Sequence, residues 1–305
     1  MQSGLMRANA KRHHKRRRWD LFSLMLPLMM LVLLLNYVPL SGWYLAFIDY
    51  KVGKSIFSCE WIGFSHFKTL FASRDFVRVM KNTAIFSGLN VLCLIFPPLF
   101  AILLNELTGD RFRKFTQTAT TLTHFLSWVT TYSIVYALFT TEGVINQFLS
   151  LFGLSQNLMI SKKAVYVFQT FIRVWTDMGW KAIIYIAAIA GVDTSLYEAA
   201  AVDGAGRLRR ALHITIPGIL PTFIVMLLLG VADFVQTGTE QYLIFQNPLV
   251  SRNIEVLDLY AYKKGIQLMD YSYATAIGIF KSAVSIALLM LTNRLAKLIR
   301  GEAIV

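Results

Sequence analysis

Long uncharged stretches set the pattern of the chain. No Asp, Glu, Lys or Arg lies between Asp20 and Asp49, between Lys81 and Glu106, or between Lys114 and Glu142. Each stretch is longer than the ~20 residues that cross ~30 Å of hydrocarbon. With the later apolar runs they predict six transmembrane helices: about Leu21 to Ile48, Thr83 to Leu107, Thr116 to Phe139, Val165 to Ala190, Pro221 to Phe245 and Tyr273 to Leu298. Pro27, Pro39 and the pair Pro97-Pro98 fall inside these spans. Proline is tolerated there when neighbouring helices re-satisfy the freed backbone groups, so the spans are expected to pack as a bundle. The predicted fold class is an all-α membrane protein, with a basic segment 1–20 and a six-helix domain 21–305. A short interfacial helix is expected between Glu142 and Leu154.

Composition agrees with that reading. Hydrophobic residues make up 56% and charged residues 15%, where a soluble domain carries about 25% charged residues. The net charge of +13 is concentrated. Lys11, Arg12, Lys15, Arg16, Arg17 and Arg18 stand directly before the first span. Beside a span such a cluster fixes orientation, by the positive-inside rule, rather than forming a nucleic-acid arm. Arg111, Arg113 and Lys114, then Arg207, Arg209 and Arg210, then Arg294, Lys297 and Arg300 fall on the same side. Both termini and the 191–217 loop are therefore expected in the cytoplasm, with 49–75 and 247–271 outside. Lys51, Lys54, Lys68, Arg74, Arg78 and Lys81 in the first outer segment oppose this orientation without reversing it. The uncharged run after the basic head is too long for the apolar core of a signal peptide, and no convincing small-residue cleavage site follows it.

Catalytic chemistry finds little support. Cys59 and Cys93 make no metal or disulfide pattern. Gly53-Lys54-Ser55 ends like a phosphate-binding loop, but Ile48 stands where the first glycine belongs. His13, His14, His66, His124 and His213 are scattered singly. The chain is expected to be no enzyme and to hold no cofactor or metal of its own.

Charge inside the later spans is the exception. An ionised side chain at a helix centre costs at least ~2.5–3.5 kcal/mol in the membrane and usually faces a cavity or a partner. Arg173, Asp177 and Lys181 recur at four-residue steps and so share one stripe, flanked by Trp175 and Trp180. Asp233, Gln236, Thr237 and Glu240 form a second stripe if the fifth span is helical throughout. A polar cavity with tryptophans suits a sugar, whose hydroxyls need hydrogen bonds and whose CH faces stack on aromatics. The other reading is an Arg173–Asp177 ion pair that holds the bundle, with the tryptophans as packing. Lys281 in the sixth span is a weaker candidate for the path, and equally suits snorkelling or pairing with an acid.

The loop between spans four and five carries the most specific signal. It reads Glu198-Ala199-Ala200-Ala201-Val202-Asp203-Gly204-Ala205, then eight residues, then Ile214-Thr215-Ile216-Pro217. Tyr197 to Ala201 can form a helical turn, Gly204 permits a sharp reversal, and Arg207 to Ile214 reads as a second short helix ended by Pro217. A protruding helix pair suits a groove on a soluble partner; the alternative is a plain connecting loop.

At these residues the chain resembles the EAA-loop permeases of bacterial ATP-binding-cassette (ABC) importers, with Ile216 in place of a leucine. The resemblance covers nearly the whole chain and implies the type I importer fold of the maltose-permease kind. Val256 to Tyr260, Tyr271 to Gly278, Glu240-Gln241 and Asn247-Pro248-Leu249 are similar to the polysaccharide and complex-oligosaccharide permease subgroup. It implies an oligosaccharide delivered by an extracytoplasmic solute-binding lipoprotein and a path shared with a second homologous permease. Two ATPase subunits that bind ATP and Mg would dock on the loops. By the same resemblance Glu198 and Asp203 set the loop's polar contacts, Gly204 its turn, and Ala199, Ala200 and Ala205 its close packing. Sugar contacts in the maltose-type permeases align with the stretch Arg173 to Trp180 and with Asp233, Phe234 and Thr237. An importer of another solute, such as a peptide or polyamine, is the nearest alternative. A membrane-embedded glycosyltransferase is more remote, because no acidic DxD-type motif is present.

Overall fold

Helices built on the apolar runs carry the architecture. The structure, a computed structural model, describes residues 22–153 and 157–300, with side chains as far as Lys297. The basic head, Leu154 and the side chain of Arg300, which the orientation and the interfacial helix draw on, lie outside the described residues and side chains. No β-strand occurs among the described residues beyond an isolated bridge between Ile48 and Trp61.

Helix α1 (Phe22–Phe47) is the first span. Its ladder widens over Leu33–Tyr37 and tightens over Val38–Phe47, with Pro39 at the junction. Proline lacks an N–H and its ring crowds the carbonyl four residues back, and the change of pitch absorbs both effects. The short α2 (Ser65–Ala72) leads into α3 (Arg74–Glu106), capped where the Ser73 hydroxyl accepts the Phe76 N–H. This second span therefore starts well before the expected Thr83. Arg74, Arg78 and Lys81 belong to the helix rather than to an outer loop. Arg78 is tolerated there because its guanidinium reaches the Glu255 carboxylate at 2.7 Å. A tight turn at Cys93–Ile95 precedes Pro97-Pro98, as the proline pair leads one to expect.

The expected third span is broken. Helix α4 (Asp110–Leu122) ends in a tight turn at Thr123–Phe125, Leu126 and Ser127 are extended, and α5 (Trp128–Phe139) restarts on a Ser127 cap. The threonine-rich run has weak helix propensity. At 1.5 Å per residue neither half spans ~30 Å of hydrocarbon alone. The short α6 (Val144–Ser150) follows.

Helix α7 (Val165–Ala190) matches the expected fourth span and bends by 70° into α8 (Thr194–Val202). The next span departs from expectation at both ends. Helix α9 (Arg207–Ala232) runs through Pro217 and Pro221, its ladder widening over Ala211–Thr215 just before Pro217. Pro217 thus does not end a separate short helix. The span stops at Ala232, and residues 233–239 form a turn, so Asp233, Gln236, Thr237 and Glu240 are not a helical stripe. Helices α10 (Glu240–Phe245), α11 (Ser251–Ile254) and α12 (Leu257–Tyr262) lead to the last span, α13 (Tyr271–Arg300). Among the described residues four helices are long and apolar enough to cross a membrane, or five if the bent α7–α8 pair counts as one span.

Helix α7 is the hub. Phe168 and Ile172 join Phe86 of α3, Val135 of α5 and Tyr242 and Phe245 of α10 in one core; Ala182, Tyr185 and Ile189 meet Ala101 of α3 and Ile219 of α9 in another. Lipid gives helices no hydrophobic incentive to associate, so close packing of small residues matters. Gly179 shows this: a Cβ there would stand 2.4 Å from the Thr120 carbonyl, so α4 rests directly on the α7 backbone. Polar ties gather several helix ends. The Ser272 hydroxyl donates to the Ile48 carbonyl at 2.8 Å, and Asn82 donates to the carbonyls of Arg252 and Glu255.

Candidate functional site: a charged cavity and a capped loop

A cavity of about 420 Å³ lies between α3, α7, α9 and the 233–237 turn. Asp177 anchors its charged wall. Its Oδ2 accepts from Arg173 Nε at 3.0 Å and meets Lys181 Nζ at 3.2 Å, while His124 Nδ1 approaches Oδ1 at 3.3 Å. The ion pair and the cavity are therefore not alternatives, since one carboxylate does both. Asp233 terminates α9 and accepts the Gln236 amide at 3.2 Å. The Phe234 carbonyl accepts the Ser87 hydroxyl of α3. The Thr237 hydroxyl is buried and has no hydrogen-bond partner among the described residues.

Arg173, Asp177, Asp233, Phe234, Gln236 and Thr237 thus come together, joined by Lys181. Trp175, Trp180 and Glu240 do not line this cavity. The Trp175 carbonyl accepts the Thr123 hydroxyl, Trp180 stacks on His124 at 4.9 Å and 4°, and Glu240 opens α10. Another indole, that of Trp128, lies 5.7 Å beneath the Arg173 guanidinium. Ser87, Asn90 and Cys93 of α3 also line the wall. A search for intramembrane charge passes over them because they are neutral; their signal is polarity just before the proline pair.

The loop carries its own cap chemistry. Asp193 opens α8 by accepting the Ser195 N–H at 2.9 Å, and this bond holds its carboxyl below the ordinary value. At the other end the Gly204 N–H bonds the Ala201 carbonyl at 3.1 Å and the Ala205 N–H reaches the Ala200 carbonyl at 2.8 Å. That pairing is a Schellman cap, which needs a left-handed residue, and Gly204 supplies φ +70°. Glu198, Ala199, Asp203 and Gly204 are exposed, while Ala200 and Ala205 are half-buried. A Tyr197–Thr215 hydroxyl pair at 2.9 Å clamps α8 to α9. Pro217 stands on α9 beyond that clamp.

No family model matches the chain. Individual relatives do. The chain is 40% identical over 291 residues to the polygalacturonan/rhamnogalacturonan transport system permease protein YteP of Bacillus subtilis (strain 168), covering 93% of this chain and 89% of the relative. This chain belongs to the sugar-transport permeases of the ABC transporters. A second relative, protein LplB of the same organism, is 38% identical over 93% of this chain and 90% of its own length. The permease fold also matches a solved bacterial alginate ABC transporter, captured with an alginate pentasaccharide-bound periplasmic protein. Its TM-score is 0.85 at 32% identity, covering 95% of this chain and 98% of that one. A second alginate-importer structure matches with a TM-score of 0.84 at 33% identity. The ABC permease is a membrane protein and a transport subunit.

Proposed function

We propose that this permease, in the bacterial plasma membrane, carries an oligosaccharide cut from a complex glycan, delivered by an extracytoplasmic solute-binding protein. A second homologous permease completes the path. Two separate ATPase subunits supply ATP and Mg, which this chain does not bind. The observation that carries the reading is the charged cavity, where hydrogen-bonding groups from α3, α7 and the 233–237 turn converge. Arg173 spends its Nε on Asp177, and among the described residues its two Nη groups have no acceptor. A planar fork of that kind suits a carboxylate. Two relatives are named for galacturonate-containing and alginate polymers, so a uronate-bearing sugar is the first substrate to test.

Six crossings with both termini in the cytoplasm fit the same reading. The broken α4–α5 pair would make the third crossing; Ser127 is exposed in this chain, so the irregular join would be covered by the second permease or line the water-filled path rather than meet lipid. The ties between Ile48 and Ser272 and between Asn82 and Arg252 support one common outer end for α1, α3 and α13. The opposite end carries the coupling surface, comprising Glu198, Ala199, Ala200, Asp203, Gly204 and Ala205, with Pro217 behind them. ATPase closure would push α8 and rock the bundle between inward-open and outward-open states.

Uptake of labelled oligogalacturonate by cells expressing the complete transporter tests the proposal. Uptake that depends on this chain and falls with Asp233→Ala supports it. Transport of a peptide or polyamine in place of any sugar would overturn it.

A further inference from the structure

Asp258 stands behind the cavity wall rather than in it. It is the second residue of α12, with a side chain only 11% exposed. Its Oδ1 pairs with the Lys281 ammonium of α13, and its Oδ2 accepts the backbone N–H of Gly238 at 2.8 Å. Gly238 has φ +83°, a left-handed conformation that a side chain would strain. It directly follows Thr237, whose buried hydroxyl has no partner among the described residues. A Cβ built on Gly238 would stand 3.9 Å from Arg173 Nη1. The carboxylate therefore grips the backbone where the turn meets the arginine of the cavity.

A charge-assisted bond from a carboxylate to a backbone N–H is about twice as strong as a neutral one. An amine and a carboxylate drawn out of water are costly to keep, and two well-packed apolar residues would serve packing as well. What apolar residues could not supply is the acceptor for Gly238. We propose that Asp258, neutralised and oriented by Lys281, is a positioning residue for transport. It fixes the Gly238 turn, and through it the places from which Thr237 and Arg173 meet the sugar. The inference rests on the sugar-path reading of the cavity.

Two double variants of the assembled transporter separate positioning from mere stability. Asp258→Asn with Lys281→Met removes both charges yet keeps an amide oxygen for the Gly238 N–H. Asp258→Leu with Lys281→Met removes both charges and the acceptor. The half-saturation concentration for labelled oligogalacturonate should rise about 10-fold in the leucine double. In the asparagine double it should stay within about 3-fold of the parent. Complex yield and basal ATPase activity should match in the two. Equal half-saturation in both doubles would overturn the proposal. Should the leucine double fail to assemble, Gly238→Ala strains the same turn without touching the ion pair. It should raise half-saturation at normal yield, and an unchanged value would overturn the proposal. Thr237→Val is the control for the underlying reading. If it shifts half-saturation while the doubles do not, positioning alone fails; if neither shifts, the sugar path fails with it.

Discussion

Arg173 and Asp177 are joined at 3.0 Å on the face of α7 that lines the cavity. Lys181 approaches the same carboxylate from the next turn, so removing Asp177 would strand two cations. Asp233 differs: it is exposed, and its carboxylate is bonded only to Gln236 of the same turn. Asp177→Ala should therefore lower complex yield and thermal stability, by less than the about 3–5 kcal/mol of a fully buried unpaired charge, because Arg173 and Lys181 are 34% and 37% exposed. Asp233→Ala should leave yield near normal and weaken uptake by about 10- to 100-fold, the loss of a charged hydrogen bond to sugar. Measuring half-saturation and yield side by side decides the matter. Normal half-saturation in Asp233→Ala would remove Asp233 from the path.

Gly179 makes a prediction about packing alone. A methyl group there would overlap the Thr120 backbone at 2.4 Å, and backbone cannot rotate away as a flexible side chain can. Gly179→Ala should push α4 off α7 and destabilise the bundle by roughly 1–3 kcal/mol. A lowered melting temperature of the detergent-solubilised complex is the expected result, and an unchanged one would show that the two helices can separate freely.

The apolar helices and the reversal at Gly204 were legible in the sequence to different degrees. The charge-free run behind α1 is longer than ~20 residues and leaves few alternatives to a crossing helix. Helices α7 and α13 carry charge at Arg173, Asp177, Lys181 and Lys281, yet the apolar residues between those charges are enough to set both helices where the pattern places them. The start of α3 was not legible, because Arg78 is acceptable in a helix only once Glu255, distant in sequence, is beside it. Hydropathy also could not see the break at Leu126–Ser127, since Thr, Leu and Trp are apolar enough on either side of it. The Asp233–Glu240 stripe assumed one continuous helix. The chain instead leaves the helix at Ala232, and the stretch is held by ties to Ser87 and Asp258 that only the folded chain supplies. Even so, Asp233, Phe234, Gln236 and Thr237 reach the same cavity as Arg173 and Asp177. Trp175 and Trp180 illustrate the opposite case: they are adjacent in sequence to the charges, but their side chains leave α7 in directions that miss the cavity.

Orientation can be tested with single cysteines. Cys59 lies in the segment proposed to be outside and Cys93 lines the cavity, so both must first become serine. In that background Ser251→Cys, on α11, should react with a membrane-impermeant maleimide in intact cells. Ser195→Cys, beside the cap of α8, should react only after the membrane is opened. The reverse pattern would invert the proposed topology.

The 191–217 loop, proposed to meet the ATPases, gives the most direct test of how their motion would reach the bundle. Its reversal depends on Gly204 at φ +70°, where the Ala205 N–H can close onto the Ala200 carbonyl. A β-branched residue at that φ costs of order 1–3 kcal/mol locally, so Gly204→Val should unwind the cap and displace the tip of α8. Gly204→Asn, which tolerates the left-handed region better, should lie between valine and the parent. The cavity and the cores around α7 are untouched, so each variant should assemble and hold its place in the membrane. Glu198→Lys should act differently, reversing charge on an exposed side chain without altering backbone shape. Both Gly204→Val and Glu198→Lys are expected to abolish sugar-stimulated ATPase activity and uptake in the reconstituted complex. Raising salt should leave the valine defect unchanged but partly relieve the lysine one, because exposed charges are screened beyond a Debye length of about 8 Å at physiological ionic strength and closer still at high salt. Full stimulation in either variant would show that α8 is not the element through which the ATPases drive this permease.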